Sequence, residues 1–471
     1  MSSFSGLSTA LSSLIAQRQA LEVSGQNIAN ANTPGYTRQR ADLTSVQSLS
    51  VPSMFSSPVG AGNGTKVSGI TRMGDTFLDA RLRAATSASS FTTAQASALS
   101  RLESTITEPA DTGVAAQLQK FWGGWHDVAN QPSDSAARQV LLGDADALVS
   151  QISSGFRSVE AQWSQMRTEA QTLTTEVNTT AQAVAQLNES IRSIQVSGGS
   201  PNELVDERSE LVTKLSGLVG ASAREREDGT VDVMVGGNAL VRGVNANAIA
   251  VTGSFTMGPA LAGTSPVALH WAASGTPLAL DGGQLASHVA NLAPTGVLGR
   301  AVDSWNDMAT SLATTVNAVH VEGRTLEDPP AAGGEFFSLG SGPPALGLSV
   351  AILGHPEKVA AAGAGKGAFD GSVADKIAQL VTAPGGPDQT WRGFVVDLGV
   401  ETRAAAQRAA VAGAGTSTAR NLQLSQASVD LDEESVNMLA YQRAYEGAAR
   451  VLTAIDEMLD VLINRTGVVG R

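Results

Sequence analysis

The sequence of 471 residues contains no cysteine. Disulfide frameworks, thiol nucleophiles, thiolate zinc sites and iron–sulfur clusters are therefore excluded together, and the redox state of the compartment has no effect on the chain. Basic residues are also few, with 31 Lys and Arg against 44 Asp and Glu and a formal net charge of −13. This balance argues against a nucleic-acid partner, because gripping phosphates requires a basic face.

Long hydrophobic runs are absent as well. No window reaches the ~18 consecutive apolar residues of a membrane span, so we expect no membrane association. The N-terminal stretch has no basic residue before Arg18 and lacks the charged start of a cleaved signal peptide. If the protein leaves the cell, we expect export without such a peptide. With hydrophobic residues at 42% and charged residues at 16%, a folded chain is expected.

Motifs for catalysis or cofactor binding are missing too. The five histidines have no metal-ligand spacing, and no GxSxG nucleophile elbow occurs. The stretch AAAGAGKGAFD at residues 360–370 approaches a phosphate loop, but Ala360 stands at the first glycine position and Gly367 stands where Ser or Thr would hold magnesium. We predict a flexible loop there, no metal, no cofactor, no catalytic residue and a protein that is not an enzyme.

Amphipathic helices are predicted at both ends of the chain. The first thirty residues carry a heptad stripe that stops at the breakers Pro34 and Gly35. The second helix begins after Asp430, which forms an acidic capping box with Glu433; a cap explains these carboxylates better than a metal or acid/base site does. The stripe residues are Leu7, Leu11, Leu14, Leu21 and Ile28 at one end, and Met438, Tyr441, Tyr445, Leu452, Ile455, Leu459 and Leu462 at the other.

These stripes have two interpretations: an ordinary helix packed on its own domain, or a surface for assembly. Both helices are apolar over a wide arc. We therefore predict that they pair with each other like a coiled coil and still leave surface that only neighbouring subunits could cover. The stripe residues are the predicted assembly interface.

Helical periodicity also dominates the middle of the chain. From Val159 to Ile194 the apolar residues alternate steps of four and three, which predicts a long rod-like helix. Segments at about 202–219 and 298–319 carry similar stripes, and together these helices predict a bundle. After Gly220 the composition changes, and Asp228-Gly229 between alternating residues predicts a β-hairpin.

The predicted fold is mainly α, with a long-helix bundle core, paired terminal helices and an inserted β-rich domain. Residues 1–45 with 428–471 are assigned to the terminal helices, and residues 46–220 with 284–322 and 385–427 to the bundle. Residues 221–283 are assigned to the β-rich domain. The Gly/Pro-rich segment 323–384, whose structure the sequence does not define, is assigned to the β-rich domain as well.

Both ends carry motifs of a known family. NIANANTPGYTRQ, residues 27–39, resembles the N-terminal signature of the axial proteins of the bacterial flagellum, namely the rod, hook and hook-associated proteins. Residues 429–464 are similar to the C-terminal signature of the same group. Ser428 departs from the pattern, which has glycine there. The signature positions are Asn27, Asn30, Asn32, Thr33, Pro34, Gly35, Tyr36, Asp432, Glu433 and Glu434.

Within that family, residues 129–142, 201–220 and 316–337 are similar to the junction proteins between hook and filament. The resemblance implies a ring of subunits whose terminal helices line an axial tube, with the bundle outside and the β-rich domain on the surface. The implied partners are the flagellar hook protein, a second junction protein (hook-associated protein 3), further copies of the chain, and a cytoplasmic export chaperone at the C-terminal helix. The implied location is the extracellular flagellum. A hook or rod protein is the structural alternative, and an enzyme of unrecognised class is the remote one.

Overall fold

The computed structural model describes residues 3–47 and 62–465. Residues 1–2 and 466–471 of the predicted terminal helices and residues 48–61 of the predicted bundle therefore lie outside the described residues. The helices are α1 (Ser3–Asn30), α2 (Thr76–Thr105), α3 (Val114–Asn130), α4 (Ser135–Val196), α5 (Asn202–Val219), α6 (Met257–Leu261), α7 (Gln284–Leu292), α8 (Val297–His320), α9 (Pro344–Gly347), α10 (Ser372–Ala378), α11 (Pro387–Ala427) and α12 (Leu431–Asp460), which continues into a π-helical turn at Val461–Arg465. The strands are β1 (Gln39–Ser45), β2 (Thr65–Arg72), β3 (Ser222–Glu225), β4 (Val231–Val235), β5 (Asn238–Arg242), β6 (Asn245–Ala246), β7 (Ile249–Thr252), β8 (Ala268–Trp271), β9 (Phe337–Leu339) and β10 (Leu348–Val350).

The helical bundle is built on α4, which is 62 residues long. The predicted rod is therefore confirmed, but it begins earlier, at a cap where the Asp134 carboxylate accepts the Ala136 N–H at 2.8 Å. The predicted stripe is its buried face, with Trp163, Val177 and Val184 fully enclosed. Parts of α2, α3, α5, α7 and α8 pack on α4, and α11 lies along α2.

The β-rich region follows α5, as predicted. Strands β3, β4, β5 and β6 form an antiparallel meander whose first turn is the Asp228-Gly229 hairpin, and β7 pairs with β8. Two asparagines of α4 hold these strands to the bundle. The Asn188 carboxamide accepts the Val231 N–H at 3.1 Å and donates to the Val231 carbonyl at 2.8 Å, and Asn178 does the same for Ile249 at 2.9 Å. A carboxamide carries one donor and one acceptor side, so it substitutes for a neighbouring strand.

The assignment of residues 323–384 to the β-rich domain is wrong. The elements of this segment, β9, α9, β10 and α10, pack on α3, α4 and α8. Its anchors are the rings of Phe336 and Phe337, which are fully buried and lie 6.0 and 5.7 Å from the ring of Phe121 on α3. Aromatic burial against the bundle therefore determines where the segment lies.

The assignment of the chain after residue 45 to the bundle also needs correction. Strand β2 pairs antiparallel with β1, with Gln39 opposite Arg72, and both strands pack on α1. Val67 and Ile70 of β2 cover a small core formed by Ala20 and Val23 of α1 and Ala41 of β1. The hairpin therefore belongs with the terminal helices, because its apolar side chains are buried there.

Candidate assembly site

The two terminal helices pack side by side, which confirms the predicted pairing. Small residues of α1 form its buried face, including Ala10, Ala16 and Ala20. Ile455 of α12 lies over Gly6, where an added Cβ would come within 3.1 Å of its Cδ1 atom. Small side chains on one helix allow the backbone of the other to approach closely, so the pair is tightly joined.

The predicted stripe residues fall into two groups. Ile455 is buried, and Tyr441 packs on the core between α1 and β1. Most of the others are half-buried: Leu7, Leu14, Leu21, Ile28, Met438, Leu452 and Leu459. Three are exposed: Leu11 at 51%, Tyr445 at 39% and Leu462 at 56%. Most of the stripe is therefore at least partly covered within the same chain, which favours the first interpretation for those residues.

A second stripe lies beside the first on α12, about 100° around the helix axis, because most of its residues directly precede those of the first stripe. Its large residues Val436, Val451 and Met458 are 67%, 51% and 55% exposed. Sequence reasoning treated part of this arc only as a widening of the first stripe, although its steps of three and four are equally regular. We call it the outer stripe; its residues, all exposed, are Val436, Ala440, Ala444, Gly447, Val451, Ala454, Met458 and Val461.

Asn27 is the centre of the N-terminal signature. Its buried carboxamide donates to the Gln39 carbonyl at 2.8 Å and accepts the Gln39 N–H at 2.9 Å, so it binds the start of β1 as a strand would. The Tyr36 hydroxyl donates to the same carboxamide oxygen at 2.9 Å. Burial, together with the charges of Glu203, Asp206 and Glu434, raises the pKa of Tyr36 to about 12, so it stays a donor. Asn27 and Tyr36 thus fix the turn between α1 and β1.

The other N-terminal signature residues build that turn. The Thr33 hydroxyl donates to the Asn30 side chain at 3.2 Å, and Gly35 has a φ of 80°, which favours glycine. Asn32 and Pro34 are exposed. These residues shape the loop and leave its surface open.

Arg38 connects the N-terminal signature to the C-terminal one. Its Nε donates to Glu434 at 2.7 Å, and its terminal nitrogens donate to Glu433 at 3.0 and 3.1 Å. Glu434 is only 2% exposed, so this ion pair is largely removed from water. Arg38 also donates its backbone N–H to the Ala427 carbonyl at 2.9 Å, at the end of α11. Arg38 therefore holds the end of α11 by its backbone and the start of α12 by its side chain.

The predicted cap of α12 is present. The Asp430 carboxylate accepts the backbone N–H groups of Asp432 at 2.9 Å and Glu433 at 3.2 Å. Asp432 itself is exposed and lies near the positive end of the helix dipole. Ser428, the departure from the family pattern, has φ −74° and ψ 154°, an extended conformation that does not require glycine.

Residues of α5 join the termini to the bundle. Asp206 accepts the Thr37 N–H at 2.9 Å and the Nε of Arg72. Gln39 donates to Glu203 at 3.2 Å. Sequence reasoning did not identify these contacts, although Glu203 and Asp206 lie in the 201–220 stretch that resembles the junction proteins. Single charged residues on an amphipathic helix give no signal that they are buried against a distant hairpin.

No chemical site emerges elsewhere in the described chain. Within residues 3–47 and 62–465, no three His, Asp or Glu side chains cluster as metal ligands. Over the same ranges, none of the helices has the length and apolar character needed to cross a membrane. In the loop that approaches a phosphate motif, the Asp370 carboxylate accepts the Gly363 N–H at 2.7 Å and the Ser372 hydroxyl at 2.6 Å. The loop thus binds its own carboxylate where a phosphate would have to sit.

Comparison with protein families gives three matches along the chain. Residues 99–337 match the flagellar hook-associated protein FlgK helical domain. Residues 7–37 match the flagella basal body rod protein family, and residues 423–465 match the C-terminal family of the flagellar basal body rod FlgEFG proteins. The two end matches coincide with the two predicted signatures.

Individual relatives agree with these matches. Flagellar hook-associated protein 1 of Bacillus subtilis (strain 168) is 29% identical over 512 residues, which cover 100% of both chains. The protein of the same name from Escherichia coli (strain K12) is 31% identical over 255 residues, 53% of this chain and 45% of the relative. The flagellar hook junction protein FlgK from Burkholderia pseudomallei shares the fold, with a TM-score of 0.63, 17% identity, and coverage of 74% of this chain and 100% of that one.

The helical-domain match over residues 99–337 favours a hook-associated protein over the hook or rod alternative. The family is one of structural proteins rather than of enzymes. The chain belongs to the family of the flagellar hook-associated protein FlgK, hook-associated protein 1, and has a structural role in the bacterial flagellum.

Proposed function

We propose that copies of this chain form a ring at the hook junction, that the terminal helices line its axial tube, and that the outer stripe of α12 is the contact between neighbouring copies. The observation that carries this proposal is the outer stripe itself. After α12 has paired with α1, Val436, Val451 and Met458 still expose more than half of their surface. A contiguous apolar strip of this kind on a soluble chain is typical of an interaction surface.

Burial energies support this choice of surface. Covering a fully exposed Val or Met side chain contributes about 1.5–3 kcal/mol. Leu11 and Ile15 of α1 are 51% and 57% exposed and add a second apolar area on the same helix pair. A contact between two different faces, repeated from copy to copy, does not need to close on a dimer and is suited to a ring or helical assembly. The buried residues, such as Ile455, act indirectly by holding the pair together.

The signature contacts give the assembly its orientation. Arg38 fixes α12 to the hairpin, and Asp206 fixes the hairpin to α5 of the bundle. In this proposal these ion pairs set the angle between the tube-forming helices and the outer domains. These ion pairs connect the outer stripe to the bundle but are not part of the outer stripe.

We infer the partners from the same surface and from the family. The proposed neighbours along the axis are the flagellar hook protein on one side and the second junction protein, hook-associated protein 3, on the other. Before assembly, a cytoplasmic export chaperone would cover the apolar side of α12, because an uncovered strip promotes premature association. The proposed location is the extracellular part of the flagellum, and export without a cleaved signal peptide stays a prediction.

Charge substitutions on the two faces of α12 test the proposal. Val451→Asp and Met458→Asp place a charge in the proposed contact, at a cost of several kcal/mol when water is excluded. We expect the free chain to melt normally, while cells carrying these variants in place of the native protein lose motility and shed filament subunits. Thr453→Asp, on an exposed polar position of the same helix, is the matched control and should behave like the unsubstituted chain.

A substitution on the buried face of α12 should destabilise the free chain, unlike the substitutions in the outer stripe. Ile455→Asp should lower the melting temperature of the helix pair in the free chain, because Ile455 is 7% exposed and packs on α1. Motile cells with firmly attached filaments in the Val451→Asp and Met458→Asp strains would overturn the assignment of the outer stripe.

A further inference from the structure

A polar cavity of about 210 Å³ lies where α2, α5 and the β3–β4 hairpin meet, on a different part of the molecule from the outer stripe. Two arginines line it, Arg83 from α2 and Arg208 from α5. Thr76 and Ser209 add hydroxyl groups, and Glu225 of β3 is the one carboxylate of the lining. The polar groups of the walls are therefore mainly hydrogen-bond donors, and the other lining residues are apolar: Ala80, Val212, Ala223 and Val231.

Arg208 is buried and Arg83 is mostly covered, with 13% of its side chain exposed, and neither arginine has a carboxylate to itself. Arg208 is 5% exposed, and its Nη1 donates to neutral acceptors, the Asn188 side chain at 2.9 Å and the Gly229 carbonyl at 2.7 Å. The Nε of Arg83 is buried and has no hydrogen-bond partner. A buried guanidinium is costly unless its charge and its donors are matched.

The nearby carboxylates do not neutralise the two guanidinium groups. The carboxylate nearest to Arg83 is that of Asp79 at 4.0 Å, which Arg72 shares at 3.9 Å and to which Gln423 donates at 2.6 Å. Within residues 3–47 and 62–465, no carboxylate lies within 4.0 Å of Arg208.

The titration behaviour of Arg208 agrees with an excess of buried positive charge. Burial, opposed by the charge of Glu225 and assisted by the charges of Arg72 and Arg83, lowers the pKa of Arg208 to about 10. Glu225 is exposed at the rim, where water screens its charge.

We propose that this cavity binds a small tetrahedral oxyanion such as inorganic phosphate or sulfate. Guanidinium groups present paired donors that fit the oxygens of such anions, and the two hydroxyl groups supply further donors. At roughly 30 Å³ for each water molecule, the cavity has room for an ion of this size. A bound anion would connect α2, α5 and β3. It would thereby stiffen the joint between the bundle and the β-rich region. Through the Arg72–Asp206 ion pair it would also stiffen the attachment of the β1–β2 hairpin to α5.

Direct binding measurements on the full chain test the proposal. Titration calorimetry with sodium phosphate and with sodium sulfate, in chloride buffer of constant ionic strength, should give one site per chain. Crystals soaked in selenate, an analogue of sulfate, should show one anomalous peak between Arg83 and Arg208. Melting temperatures alone are insufficient, because sulfate stabilises proteins in general by exclusion from their surface.

Variants with opposite expected effects locate the site. Arg83→Gln should weaken binding about tenfold, because it removes a charge-assisted donor group. Glu225→Gln should tighten binding, because it removes the repelling carboxylate; Glu225 is exposed, so this variant tests the site even if Arg83→Gln does not fold. Glu227→Gln, exposed on the same hairpin and outside the cavity lining, is the matched control and should bind like the unsubstituted chain.

Several results would overturn the proposal. They are the absence of both a binding heat and a selenate peak, a peak elsewhere on the molecule only, and an affinity that neither Arg83→Gln nor Glu225→Gln changes.

Discussion

Replacing Asn27 by alanine should loosen the turn between α1 and β1 more than any other change in the N-terminal signature. The substitution leaves the N–H and the carbonyl of Gln39 without their partners at 2.9 and 2.8 Å, in a place where Asn27 is 1% exposed. Each buried backbone group without a partner costs about 1–3 kcal/mol. The Tyr36 hydroxyl is half-buried and can turn to water, so the two Gln39 groups account for the expected local loss of about 2–6 kcal/mol.

Hydrogen exchange of the Gln39 amide measures this loss where it occurs, which global unfolding of a chain with several packed units would not. A loss of about 2–6 kcal/mol corresponds to exchange that is roughly 30 to 20,000 times faster, at about 1.4 kcal/mol for each factor of ten. Asn30→Ala is the control, because the Asn30 side chain bonds only to exposed atoms of Gln26 and Thr33, and its effect should stay below about 0.5 kcal/mol. Equal protection of Gln39 in the Asn27→Ala chain and the unsubstituted chain would refute the reasoning.

Two further predictions concern the bundle. Gly155→Ala should destabilise the bundle by several kcal/mol, because the new Cβ would lie 2.2 Å from the Trp305 ring. Gly143→Ala, which meets open space on the same helix, should stabilise the bundle by about 0.5–1 kcal/mol. Denaturant unfolding of the two variants distinguishes these effects. His320 should make the bundle acid-sensitive, because burial, opposed by the Gly334 carbonyl bond, lowers its pKa to about 4 from the usual 6.5. The unfolded chain then binds the proton more readily than the folded chain does. We therefore expect the free energy of unfolding to be highest above pH ~6.5 and to fall by up to about 3 kcal/mol as the pH is lowered to about 4. Denaturant unfolding curves recorded across that pH range measure this change.

Controls for these two predictions are available in the same experiments. Similar effects of the two glycine substitutions would contradict the predicted contact with Trp305. For the acid sensitivity, His320→Gln should flatten the pH dependence between pH 4 and 6.5, whatever its own cost in stability. An unchanged slope in that variant would assign the acid sensitivity to other groups.

The sequence predicts those features that depend on neighbouring residues. The Asp430 cap, the Asp228-Gly229 hairpin and the long helix α4 follow from local propensity and periodicity, and all three are present. Three residues of the family signature, Asn27, Tyr36 and Glu434, form contacts that hold the termini in the structure. Local propensity and periodicity therefore predict the elements.

Features that depend on distant residues could not be predicted in this way. Two stripes of equal regularity lie on α12, and periodicity does not decide which one packs on α1. The decision comes from shape, since Gly6 and Ala20 of α1 accept Ile455 and Tyr441. Likewise, composition gave no sign that Phe336 would pack on Phe121, which precedes it by more than two hundred residues.

The absence of native cysteine makes one labelling experiment especially direct. Single cysteines at Val451 and Ile455 can be labelled with a maleimide in the free chain and in the assembled flagellum, with Ser274→Cys on the exposed β-rich region as the control. We predict that Val451→Cys reacts in the free chain and becomes protected on assembly, that Ile455→Cys is protected in both, and that Ser274→Cys reacts in both. Reaction at position 451 that persists in the flagellum, or free reaction at position 455 in the isolated chain, would contradict the separation of α12 into an inner packing face and an outer assembly face.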